Sequence, residues 1–131
     1  MGGVMLTIRQ KQMDALAAVT RERFQERLEA HVRKVFPDDC KALGEDGVRE
    51  LVVEGIERAE GHGLSAERDV CRYVDLLFLL GRDFETREEM AWAKGILNDV
   101  TLRQAPSVRM DRLWEETRRR RAAGRLRPRQ A

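Results

Sequence analysis

A helix that is apolar around most of its circumference must be covered by several others, and residues 65–81 encode one. Val70, Cys71, Tyr73, Val74, Leu77, Phe78 and Leu80 occupy well over half of its helical wheel. Arg68, Arg72 and Asp75 form a narrow polar strip, which Leu76 and Leu79 close in the last turns. Ser65 is placed to cap the first turn, Glu67 and Asp69 lie at the positive end of the helix dipole, and Gly81 can adopt the positive φ that ends it. The stretch predicts a central buried helix.

The remaining segments supply partners for it. Thr7 and Gln10 have the spacing of a capping box. Met13, Leu16, Thr20, Phe24, Leu28, Val32 and Val35 then recur every three or four positions. This predicts one amphipathic helix of roughly 28 residues, about 42 Å long. Arg21, Glu22, Glu26, Glu29 and Arg33 lie on its outer face, and Pro37 stops it. Residues 38–44 form a short helical turn. A second amphipathic helix follows from about Glu45 to Glu60, with Val48, Leu51, Val52, Ile56 and Ala59 on one stripe. Gly61, His62 and Gly63 break it. After Gly81 a turn brings Phe84 back onto the core, and Thr86 with Glu89 makes a second capping box for a helix through Met90, Trp92, Ala93, Ile96 and Leu97. Pro106 and Ser107 open a last helix carrying Val108, Met110, Leu113 and Trp114. The fold class is all-α, a single-domain bundle of about five helices.

Composition and charge agree with that class. The chain has 131 residues, of which 37% are charged and only 5% aromatic, a balance suited to amphipathic helices. Charge is divided unevenly: residues 1–101 hold 15 basic and 20 acidic side chains, net −5, whereas residues 102–131 hold 10 and 3, net +7. We divide the chain into a bundle domain, 1–117, and an Arg-rich tail, 118–131. The last helix runs into Arg118–Arg121, and the final stretch of this basic tail, residues 124–129, lacks an apolar period and is expected to be frayed or disordered. The opening residues lack the features of an export signal, and no uninterrupted apolar run is longer than that of residues 76–80, which is too short to cross a bilayer. Cys40 and Cys71 are then most simply free thiols in a reducing cytoplasm.

No catalytic constellation, cofactor motif or metal site is expected. His31 precedes Cys40 by nine residues and His62 precedes Cys71 by nine, but no His–Cys pair has the i,i+3 or i,i+4 spacing that zinc favours. Cys71 lies on the apolar arc, where cysteine acts as a small hydrophobe. Asp75 is expected to pair with Arg72 or Arg68 as a partly buried ion pair that orients neighbouring helices. No phosphate loop or nucleophile elbow is present. Arg118, Arg119, Arg120 and Arg121 are candidates for contact with a polyanion, without aromatic neighbours that would stack on bases. Trp92 and Trp114 are candidate partner-binding residues, because a core this small need not bury two indoles and tryptophan is enriched at hot spots.

Residues 62–76, then Gly81-Arg82-Asp83-Phe84 and Trp92-Ala93-Lys94-Gly95-Ile96-Leu97, resemble small helical proteins encoded in type VI secretion effector clusters. The opening residues 6–13, Phe36-Pro37 and Met110-Asp111-Arg112-Leu113 extend the resemblance over residues 6–114. In those clusters they sit beside spike-tip (PAAR) or spike (VgrG) genes and a toxin. The resemblance implies a non-enzymatic adaptor, chaperone or immunity protein whose partner is an effector toxin or a spike protein. It carries over no binding residue. The alternative is a nucleic-acid-binding module acting through the tail.

Overall fold

The computed structural model describes the backbone of residues 2–126 and the side chains of residues 19–126. Among these there are five α-helices and no strand: α1 (Gly2–Val35), α2 (Pro37–Gly61), α3 (Glu67–Leu80), α4 (Ala91–Leu97) and α5 (Pro106–Ala122). Two 3₁₀ turns, Glu88–Met90 and Val100–Leu102, flank α4. The all-α expectation therefore holds.

Thr7 lies inside α1 rather than at its start, so the expected capping box is not a helix boundary. The side chains of Met13 and Leu16 fall outside the described residues, but Leu28 and Val32 are buried as the stripe requires. Val35, at the corner, is half exposed. Pro37 ends α1 and occupies the first turn of α2, where its missing N–H costs nothing. At Gly44 the backbone leaves helical geometry (φ 76°), dividing α2 into the short first piece and the longer second piece that the sequence predicts. Val48, Leu51, Val52, Ile56 and Ala59 are all buried.

Nine of the fourteen residues of α3 are buried, and the helix contacts α1, α2 and α5. Gly55 of α2 lets it come close, because a Cβ there would stand 2.8 Å from a Val74 methyl. Phe78 stacks on Phe36 at 5.0 Å between centroids, and Phe84 folds back to complete burial. The cap differs from expectation: Ala66, not Ser65, precedes the first turn, without a side-chain hydrogen bond. Asp69 instead accepts from Ser107 Oγ at the start of α5. The second expected capping box also fails, since Thr86 donates back to the Asp83 carbonyl at 3.0 Å.

In α5, Met110 and Leu113 are buried, whereas Val108 is exposed. Arg109 is buried and donates to the carbonyls of Leu97 (2.5 Å) and His62 (2.6 Å), tying the ends of α4 and α2 to α5. Arg118, Arg119, Arg120 and Arg121, the start of the Arg-rich tail, continue α5 as helix. Arginine is a good helix former, and its charge complements the C-terminal end of the dipole. Beyond the helix, Leu126 packs partly against the core. The rest of the expected tail, residues 127–131, lies outside the described residues.

Candidate functional site

α1 and α2 are consecutive antiparallel helices, as are α2 and α3, so α1 and α3 run side by side in the same direction. Two contacts fix that seam: Arg27 Nη2 lies 2.8 Å from Glu67 Oε1, and His31 Nε2 lies 2.8 Å from Asp75 Oδ1. Cys71, one helical turn before Asp75, completes a group whose ligand atoms all lie within 4.8 Å of one another. The expected pairing of Asp75 with Arg72 and Arg68 does not form. Both guanidinium groups reach Asp111 of α5 at 2.9 Å, because they leave α3 on the side facing that helix. Asp75 is buried, with His31 as its hydrogen-bond partner. Burial pushes its carboxyl up, and the neighbouring His31 offsets this only in part. Burial, reinforced by Asp75, also pushes the Cys71 thiol up to about 11, so at neutral pH it is a thiol rather than a nucleophilic thiolate. His31, Cys71 and Asp75 together offer one nitrogen, one sulfur and one oxygen. This is a metal-capable set, where the sequence led us to expect none.

A second polar cluster closes the far end of α3. Glu85, in the turn after Gly81, accepts from three donors, two at the end of α2 and one on α3. His62 Nε2 and Arg58 Nη2 each approach to 2.7 Å, and the Tyr73 hydroxyl completes the set. Arg58 also donates to the Arg82 carbonyl at 2.7 Å, and its guanidinium lies over the Tyr73 and Phe84 rings. Burial pushes Glu85 up, but the bonds from His62, Tyr73 and Arg58 outweigh it and hold the carboxyl down to about 2. Burial and the adjacent Glu85 push the Tyr73 hydroxyl far above its ordinary value. A general base works best with a pKa near the operating pH, and both groups are displaced away from it. The cluster is a clamp joining α2, α3 and the 81–87 turn.

An open groove of about 890 Å³ lies between α1, α2 and the start of α3. Ile56, Leu64 and Val70 line it as buried residues, Phe24 is half-buried, and Arg21, Glu60 and Glu67 are charged residues along it. The sequence-predicted partner residues lie elsewhere. Trp92 and Trp114 are half-buried, with the Arg120 guanidinium 4.3 Å from the first ring and Arg72 5.4 Å from the second. Arg119 and Arg120 both bind Glu116, at 2.8 and 3.0 Å, while Arg118 and Arg121 are exposed.

Sequence reasoning missed two of these features. The i,i+4 spacing of Cys71 and Asp75 was a readable signal, but their third partner, His31, lies 40 residues before Cys71 and reaches them only through the packing of α1 on α3. Glu85 had no local signal, since its donors come from positions 58, 62 and 73. Compared with known proteins, the chain matches no family model, no curated protein and no solved structure.

Proposed function

We propose that this chain is a non-enzymatic helical accessory factor that binds a protein partner in the bacterial cytoplasm. The partner is an effector toxin or spike component of a type VI secretion cluster, and the role is that of adaptor, chaperone or immunity protein. We read α3 as the element around which the bundle is organised, since three other helices pack on it. The observation that carries the binding proposal is the groove: an apolar floor beside charged residues matches an amphipathic helix laid along α1 and α2. The locked Glu85 cluster favours a structural reading over a catalytic one. No described helix is long and apolar enough to cross a membrane.

Trp92 and Trp114 remain the second candidate surface. The guanidinium stacked on each ring favours a packing role for the indoles. A nucleic-acid role is the alternative function, favoured by the exposed Arg118, Arg119 and Arg121 at the end of α5.

Co-purification of the untagged chain with the products of its neighbouring genes tests the proposal. Capture of a toxin or spike product, weakened at least roughly tenfold by Phe24→Asp, supports the groove; the same loss from Trp92→Ala or Trp114→Ala moves the interface to the indoles. Retention of nucleic acid alone, released by salt, supports the alternative.

A further inference from the structure

We infer that His31, Cys71 and Asp75 form a binding site for one divalent transition-metal ion, with zinc as the best match. The donor set of imidazole nitrogen, thiol sulfur and carboxylate oxygen is the one that zinc accepts in mixed sites. Cys71 and Asp75 project from one face of α3, a turn apart, and His31 meets them from α1. Tetrahedral coordination needs ligand atoms ~3.3–3.8 Å apart, given metal–ligand distances of ~2.0–2.3 Å. The three atoms already lie within 4.8 Å of one another, so the site closes by side-chain adjustment. The 2.8 Å His31–Asp75 contact opens slightly to admit the ion.

Charge points the same way. Asp75 is a buried carboxylate whose helix neighbours Arg68 and Arg72 are both turned to Asp111. Among the described residues His31 is the one group paired with this carboxylate, and a cation between α1 and α3 adds a second countercharge. Binding replaces the Cys71 S–H bond by a sulfur–metal bond and releases that proton to water. With three protein ligands the fourth position stays open, and the His31 side chain, 35% exposed, leaves it reachable from solvent. A water molecule or a donor from outside the chain can occupy it.

The competing reading is a plain His–Asp hydrogen bond beside a core cysteine. Cobalt(II) distinguishes the two, because thiolate ligation produces a charge-transfer absorption that nitrogen or oxygen ligation does not. The untagged, chelator-stripped full chain is titrated with cobalt and then back-titrated with zinc. The expected result is one cobalt per chain with the thiolate band, displaced by zinc. Cys40→Ser leaves Cys71 as the sole thiol and should keep the band, whereas Cys71→Ser should abolish it. His31→Gln and Asp75→Asn should each weaken binding by at least about tenfold. No thiolate band in the wild-type chain at millimolar cobalt overturns the inference, and so does a band that disappears in Cys40→Ser. Because the sole-thiol variant carries the assignment, misfolding of Cys71→Ser does not weaken the test.

Discussion

The molecule contains two histidine–carboxylate pairs of nearly the same length, His62–Glu85 at 2.7 Å and His31–Asp75 at 2.8 Å. Both carboxylates are well shielded, with side-chain exposures of 17% and 11%. Their electrostatic outcomes are nevertheless opposite, Glu85 held well below its ordinary value and Asp75 pushed up from its own. Burial does not decide this, since it acts upward on both. The number of donors does. Among the described residues Glu85 collects a histidine, a tyrosine and an arginine, whereas Asp75 has one histidine. A buried carboxylate with a full set of donors is a clamp, and one with a single donor still has room for a ligand.

Replacing each carboxylate by its isosteric amide sets the two pairs against each other. Glu85→Gln turns one acceptor oxygen into a donor that faces other donors and removes the charge that Arg58 answers. Breaking such a pair should cost about 3 kcal/mol in urea melts. A loss below about 1 kcal/mol would show that the three donors find water instead, and that the clamp is not one.

Acid should reveal the same asymmetry. In the unfolded chain Glu85 titrates near 4.5, and in the folded protein near 2. The unfolded state therefore binds more protons between those values. The stabilisation is complete above about 4.5 and is lost as pH falls towards 2. It amounts to about 3 kcal/mol. The groups facing Glu85 throughout are His62, Tyr73 and Arg58, with Glu54 close to Arg58. Urea midpoints over this window should fall for the wild-type chain and stay flatter for Glu85→Gln; parallel curves would mean that another carboxylate governs the acid limb.

Tyr73→Phe removes one of the three donors and keeps the ring, so about 1.5–2 kcal/mol should be lost. The acid transition of the variant should also lie at higher pH than that of the wild-type chain, because Glu85 then has only His62 and Arg58 to outweigh its burial. An unchanged acid transition with the full stability loss would place the value of Tyr73 in packing rather than in the clamp.

The helices were legible in the sequence because their signal is local. Val48, Leu51, Val52, Ile56 and Ala59 recur at helical spacing, and all five are buried. The kink at Gly44 and the burial of Phe84 were legible for the same reason. Polar pairing was not. The arginines nearest Asp75 in its own helix bind Asp111, 39 and 43 residues away in sequence, and Asp75 finds His31, 44 residues away. Glu29, expected on the outer face of α1, is buried near Arg33 and Arg49 by the same kind of long-range packing. Periodicity tells which face of a helix turns inward. It does not tell which helix will stand opposite.

Asp75→Asn is the counterpart of Glu85→Gln and should have the smallest effect. The asparagine carbonyl can accept from His31 Nε2 as the carboxylate does, so the link between α1 and α3 survives. The substitution removes a buried charge that no arginine among the described residues answers, which offsets part of whatever the weaker, neutral hydrogen bond loses. In chelator-treated protein the two effects should nearly cancel, leaving a change within about 1 kcal/mol at neutral pH. Added zinc should then raise the melting temperature of the wild-type chain and leave that of Asp75→Asn nearly unmoved, because a ligand stabilises only the folded state that binds it. A loss of about 3 kcal/mol in metal-free protein would make the seam a second clamp like the Glu85 cluster. The contrast between one donor and three would then fail, and with it the reason for seeing room for a ligand between α1 and α3.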